Sequence, residues 1–206
     1  MNHTEAVHAH VHRDDYGAKI GMWLFLFTEL ILFGGLFIVY AVYRFTYGDG
    51  FSLASKELDT LVGMINTVVL LTSSLTMAMS ITAIQQGKKW LSIGLVGATN
   101  ALALLFMVNK YFEWTAKLHH GLYPGGPELL ERTNGEILYF GLYYVMTGLH
   151  AIHVLIGMVI MTFMIVFLKT GHINNNSYVK LENSGLYWHL VDLIWIFLFP
   201  LFYLIH

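Results

Sequence analysis

Five stretches of this chain are apolar enough and long enough to cross a lipid bilayer, which leaves little choice of fold. A span needs about 20 apolar residues at 1.5 Å each to cover a hydrocarbon core of roughly 30 Å. The runs are approximately Ile20 to Tyr43, Leu61 to Ile84, Trp90 to Val108 (continuing to Trp114), Ile137 to Leu168, and Leu186 to Ile205. The fourth contains no Asp, Glu, Lys or Arg. As a helix it would be about 48 Å long, more than one crossing needs and less than two spans and a turn require. It predicts one long, tilted helix that projects from the membrane. The fold expected is all-α, a polytopic bundle of five transmembrane helices over residues 20–206, preceded by a polar, His-rich tail over residues 1–19.

Composition supports this and closes off several functions. Only 12% of residues are charged against 56% hydrophobic, about half the charged fraction of an average soluble domain. A net charge of −2 with no Lys/Arg cluster argues against nucleic acid and against a polybasic lipid anchor. The absence of cysteine excludes disulfides, iron–sulfur clusters, thiolate metal sites and covalent CxxCH haem attachment. The tail, MNHTEAVHAHVHRDDYGAK, lacks the basic and short apolar regions of a cleavable signal peptide, so the first span is expected to direct insertion.

The connections GDGFSLASKELD, QQGKK, HHGLYPGGPELLERTNGE and KTGHINNNSYVKLENSG are polar and too short for a soluble domain. Pro124 and Pro127 beside Gly125 and Gly126 mark a turn. No internal repeat of the kind found in many transporters is visible. Lys and Arg number six on the N-terminal side (Arg13, Lys19, Lys88, Lys89, Lys169, Lys180) and five on the other (Arg44, Lys56, Lys110, Lys117, Arg132), so the positive-inside rule favours a cytoplasmic N-terminus. Gly94 with Ala98 and Gly97 with Ala101 offer a small-residue seam on the third span, and Thr72, Thr76 and Ser80 a polar one on the second. Trp23, Trp90, Trp114, Tyr43 and Tyr203 near span ends suit interfacial anchoring.

A few ionisable groups stand out inside the spans. Glu29 is the one charged residue of the first, where an uncompensated charge costs about 2 to 3 kcal/mol. Its helical neighbours Phe25, Leu26, Leu32 and Phe33 offer no partner, so another helix, a lipid or water must supply one; Ser80 or a backbone carbonyl would serve. In YWHLVDLIW, His189 and Asp192 are three apart and Trp188, Asp192 and Trp195 share a helical face. A local His–Asp pair is expected, and Asp192 and Glu29 are placed at depths close enough to share a polar pocket. In TGLHAIHVLIG, His150 and His153 are predicted to face the same way. They lie about 20 to 27 Å from the inner end of their span, while His189 lies about 5 Å from the inner end of its own. Those depths argue against a shared iron and favour packing imidazoles. His3, His8, His10 and His12 read as a solvated tail, and His119 and His120 carry no spacing signal.

Five strings taken together, KIGMWLFLFTELILFGGLF, NTVVLLTSSLTMAMS, NKYFEW, TGLHAIHVLIGM and YWHLVDLIWIFLFPLFYL, resemble subunit III of the haem–copper terminal oxidases in order and spacing. The resemblance covers nearly the whole chain. Full-length members have seven helices, the first two set apart by a lipid-filled cleft; this chain starts at what would be the third, like the five-helix subunit III of many bacterial oxidases. The resemblance implies a bacterial inner-membrane subunit with no metal or redox cofactor of its own. It would pack on subunit I, which holds haems and a copper, and be associated with subunit II; it would bind phospholipids and support sustained proton uptake while the complex passes electrons from cytochrome c to oxygen. Glu29 matches the family's intramembrane carboxylate, and His150, His153, His189 and Asp192 match its recurrent polar positions, none of them a metal ligand there. Quinol-oxidising relatives often carry Asp where this chain has Glu29, which favours cytochrome c as donor. Quinol oxidase subunit III and accessory proteins of nitric oxide reductase share the fold. From other classes, a small proton-coupled transporter would use Glu29 and Asp192 and need broken helices, to which Gly34 with Gly35 comes nearest. A di-haem quinol-reactive anchor would need histidines bracketing iron.

Overall fold

The structure is a computed structural model that describes residues 15–175 and 177–205; the tail histidines His3, His8, His10 and His12 lie outside the described residues. Seven helices follow in order: α1 (Asp15–Thr46), α2 (Gly48–Ser55), α3 (Thr60–Gln85), α4 (Lys89–His119), α5 (Pro127–Leu130), α6 (Asn134–Thr170) and α7 (Val179–Tyr203). Of these α1, α3, α4, α6 and α7 are long and apolar enough to cross a membrane. The fourth apolar run is indeed one helix, the 37-residue α6. Each helix runs past its apolar run into polar flanks, because hydropathy marks what lies in hydrocarbon and not where the backbone stops being helical. The helix α6 ends at Gly171, whose φ of +81° suits glycine.

The hairpin α3–α4 is built on a heptad repeat. Gly63, Asn66, Leu70, Ser73, Met77, Ser80 and Ile84 are buried on α3, and Ser92, Val96, Thr99, Ala103, Phe106, Lys110 and Glu113 on α4. Steps of three and four keep one face toward its partner, and Gly87 at φ +75° turns the chain between them. The polar seam is used in part. Thr76 Oγ1 meets Thr99 Oγ1 at 2.8 Å, Ser80 is buried and donates to its own Met77 carbonyl, and Thr72 is exposed and bonded to Val68. The expected Gly94/Ala98 and Gly97/Ala101 seam does not pack within the chain: a Cβ at either glycine would meet nothing within 4 Å. Small residues permit close approach without compelling it, and the heptad face, rich in burial, decides which side turns inward.

At the centre lies α7, packed against α3, α6 and α1. The indoles of Trp188 and Trp195 donate to Ser73 Oγ and Thr67 Oγ1 on α3, each at 3.0 Å, so the face predicted for these tryptophans is the face that meets α3. By contrast α1 buries only Leu26, Phe33 and Tyr40, a stripe at seven-residue spacing. Its other faces present apolar side chains outward, among them Leu24, Phe27, Ile31 and Ile38.

The end of the bundle that holds the C-terminus is tied by backbone and hydroxyl contacts. The segment read as a polar loop contains α2, which buries Phe51 and Ala54. Its two turns carry too few apolar residues to show a period. Gly50 and Gly135 let α2 and the start of α6 approach so closely that a Cβ on Gly50 would sit 2.9 Å from Gly135 Cα. The carbonyls at the end of α7 and just beyond it are buried or partly buried, and the last of a helix lack intrahelical donors. Hydroxyls from four other places fill that role: Tyr40 to Leu201, Tyr139 to Phe202 at 2.5 Å, Thr60 to Tyr203 at 3.2 Å and Ser55 to Ile205.

Candidate functional site: a buried carboxylate and its neighbours

Glu29 has its partner on α6. His153 Nε2 lies 2.9 Å from Glu29 Oε2, while His153 Nδ1 lies 2.7 Å from the Leu149 carbonyl. A carbonyl oxygen only accepts, so Nδ1 carries a proton. The pair then has two arrangements with the same atoms in place. Either a protonated Glu29 donates to Nε2, or an imidazolium donates to a carboxylate. Both side chains are largely enclosed, 14% exposed for Glu29 and 11% for His153. The Phe33 ring meets the imidazole edge-on at 5.3 Å, and Tyr187 donates to the His153 backbone carbonyl at 3.0 Å.

This pairing replaces the expected one with Ser80 or with a pocket shared by Asp192. Counted from Asp15, Glu29 is about 21 Å along α1, and His153 is about 26 Å from the end of α6 at Thr170.

His150 does not face the same way as His153, as had been expected. Its ring lies between Phe106 of α4 at 5.6 Å and Trp195 of α7 at 5.2 Å, it is fully buried, and neither ring nitrogen has a hydrogen-bond partner among the described residues. Three residues rotate the helix by about 300°, and the offset of about 60° that remains sends one imidazole to α1 and the other into the core.

His189 and Asp192 do not pair with each other either. Ser74 Oγ sits 2.6 Å from His189 Nδ1, and the buried Asp192 has its Oδ1 without a partner among the described residues. Thus α3 supplies what α7 was expected to satisfy by itself, and Asp192 and Glu29 turn toward different helices. Of the two tryptophans singled out, Trp188 is buried and Trp23 is 62% exposed.

A second buried ionic group was missed. Lys110 Nζ contacts Glu113 Oε2 at 3.2 Å, Tyr143 Oη at 3.1 Å and Tyr203 Oη at 2.9 Å, which uses all three of its donors. Both tyrosines in turn donate to Glu113 Oε1 at 2.5 Å. The result is a closed cage joining α4, α6 and α7, and it takes Tyr203 out of the interfacial belt. The signal was present as a lysine and a glutamate three apart inside the third apolar run, on the heptad face. Lys110 also stands 5.3 Å from the Trp195 ring.

Near the C-terminal end of α7, Arg132 bridges Glu136 Oε1 at 3.1 Å and Glu57 Oε1 at 3.4 Å. Partial burial works against its charge, but the two carboxylates outweigh that and hold the guanidinium above its ordinary value. Glu136 also completes a capping box with Thr133 at the start of α6. Among the described residues, no three His, Asp or Glu side chains come together to hold a metal ion.

A family model for cytochrome c oxidase subunit III matches residues 2–206. The chain is 32% identical to cytochrome c oxidase subunit 3 of Thermostichus vulcanus, over 96% of this chain and 91% of that one. It is 27% identical to the cytochrome bo(3) ubiquinol oxidase subunit 3 of Pseudomonas aeruginosa, over 97% and 91%. It is 30% identical to the heme-copper oxidase subunit I+III of Aeropyrum pernix over 91% of its length, and spans 22% of that longer protein. Five spanning helices and a match over nearly the whole sequence give one conclusion: this chain belongs to the cytochrome c oxidase subunit III family.

Proposed function

We propose that this chain is a redox-silent, lipid-binding subunit of a proton-pumping haem–copper oxidase, packed on subunit I, associated with subunit II and supporting sustained proton uptake. The observation that carries the reading is the Glu29–His153 pair, a titratable unit inside the membrane on α1, a helix whose outer face is apolar and unpaired within the chain. Intramembrane ionisable groups of this kind mark proton or ligand sites by default. A relative whose name joins subunits I and III in one polypeptide supports placing the chain against subunit I. Its haems and copper would then lie in the partner subunits, and the exposed apolar faces would be covered by those subunits and by phospholipid. The setting proposed is a bacterial inner membrane with the N-terminus in the cytoplasm. Relatives of both donor classes resemble the chain; glutamate at position 29 favours cytochrome c over quinol.

The test is to purify the complex with Glu29→Ala. Haem content should match the parent while turnover decays faster or bound phospholipid falls. Unchanged turnover, inactivation rate and lipid content would remove Glu29 from the mechanism.

A further inference from the structure

The helix α1 is attached unevenly along its length. Toward its C-terminal end Tyr40 is fully buried, its ring meeting Phe51 at 5.4 Å and Phe202 at 5.1 Å and its hydroxyl bonded to the Leu201 carbonyl. Toward the other end, nothing between Asp15 and Phe25 is buried. Polar contacts at the surface hold that stretch, among them Lys19 to Glu182 at 3.0 Å, with the lysine half exposed, and Asn183 Nδ2 donating to the Ala18 carbonyl at 3.2 Å. An exposed ion pair adds little. Where packing on α3 would steady the helix there is a crevice of 420 Å³, lined among others by Trp23, Ile81, Leu186 and His189.

Between the firm and the loose part stand Gly34 and Gly35. A Cβ at either would meet nothing within 4 Å, so neither makes room for a neighbour in the chain. Both loosen a helix interior, and such pairs are among the places where helices bend. A little over a turn before them, on the loose side, Glu29 is bound to His153. The strength of that bond depends on where its proton lies. As carboxylate and imidazolium, the partners cannot part without stranding two charges in hydrocarbon; with the proton passed from His153 Nε2 to Glu29 Oε2, both are neutral and part at much lower cost. The titratable groups nearest the pair are Tyr187 of α7, which donates to the His153 backbone carbonyl, and His150 of α6, whose ring turns away to Phe106 and Trp195.

We infer that residues 15–33 of α1 form a hinged arm that pivots at Gly34 and Gly35 and is latched by Glu29 to His153. The position of the shared proton sets the latch, holding the arm when the pair is ionic and releasing it when the pair is neutral, and the swing uncovers the pair. This rests on the reading of the pair as a proton site and adds how that site is opened.

The complex is prepared with nitroxide labels on pairs of introduced cysteines, the chain having none of its own. Leu24→Cys with Leu91→Cys spans from the arm to α4, and Val42→Cys with Phe112→Cys spans from the anchored part to α4, all at exposed positions. Pulsed electron paramagnetic resonance gives the distances, with the complex lacking introduced cysteines as the blank. The first pair should show a main distance and a longer one, and the second pair a single distance. His153→Ala should raise the ratio of long to main population by about threefold to twentyfold, the range to which a polar contact between membrane helices converts. Gly34→Ala with Gly35→Ala should lower it, and either change decides by itself if the other variant fails to assemble. One narrow distance for the first pair, unmoved in these variants, overturns the hinge. A fixed arm with turnover that still decays faster in Glu29→Ala removes the hinge alone, whereas a moving arm with turnover unchanged in Glu29→Ala upholds the hinge and removes the proton reading.

Discussion

Glu29 Oε2 and His153 Nε2, 2.9 Å apart, join the most exposed of the five spanning helices to one of the most buried. Because α1 buries only three side chains, this contact is a large part of what fixes its rotation. A polar contact between membrane helices typically contributes about 0.6 kcal/mol and at most about 1.7. We therefore expect Glu29→Ala and His153→Ala each to lower the thermal midpoint of the detergent-solubilised complex, and the double variant to lower it little further. The coupling from the four-way comparison should be about 1 kcal/mol. Strictly additive losses would mean that the two side chains act separately.

The Lys110 cage predicts an asymmetry. Lys110→Met leaves the Glu113 carboxylate buried without its cation, a change that costs about 3 to 5 kcal/mol in comparable buried pairs. Adding Glu113→Gln removes the stranded charge and keeps an acceptor for the Tyr143 and Tyr203 hydroxyls, which point at Glu113 Oε1. Thermal denaturation of the solubilised complex should therefore show the single variant strongly destabilised and the double one recovered for the most part. A double variant worse than the single would show that the charge pair itself, and not its imbalance, is what stabilises the bundle.

Much of this architecture was legible in the sequence, for identifiable reasons. Five apolar runs became five helices because hydrocarbon leaves a backbone no other economical way to satisfy its polar groups. The face of α7 bearing Trp188 and Trp195 could be read from helical spacing because both indoles do pack on one neighbour, α3. What could not be read was which helix each polar side chain would find. Glu29 and His153 are 124 positions apart, and their meeting depends on which helices lie side by side and how each is rotated, which hydropathy does not show. His189 and Asp192 looked like a local pair because their spacing allows it, yet the imidazole meets Ser74 on α3 at 2.6 Å instead. The Gly94 seam misled because spacing reports permission for close packing and not its direction.

That last point separates two kinds of glycine. A Cβ at Gly157 would lie 2.8 Å from the Trp188 ring, and one at Gly185 would lie 2.7 Å from Ile81 Cδ1. Gly157→Ala must push a buried indole off its hydrogen bond to Ser73, and overpacking of this kind costs about 1 to 3 kcal/mol. Gly94→Ala and Gly97→Ala face open space within the chain and remove a flexible residue from a helix, so they should leave stability unchanged or raise it slightly. Midpoints of the four variants of the solubilised chain give the comparison directly. Equal losses at all four positions would show that the α4 face is packed in a way the bundle does not require.

The hydroxyls at the end of α7 predict where that helix will loosen first. Tyr139 is fully buried and its hydroxyl donates to the Phe202 carbonyl at 2.5 Å. Tyr139→Phe keeps the ring contacts with Phe51 and Phe202 and removes only the donor, leaving a buried carbonyl unsatisfied at a cost of about 1 to 3 kcal/mol. Thr60→Val strips the Tyr203 carbonyl in the same way. The effect should be local before it is global. Amide hydrogen exchange should quicken through the last turns of α7, around Phe202 and Tyr203, while α3 and the first half of α7 keep their protection. Tyr43→Phe, on the exposed face of α1, should change nothing. If exchange in the last turns of α7 is the same in all three variants, the buried end of that helix is held by its packing alone and the four hydroxyl contacts are incidental to it.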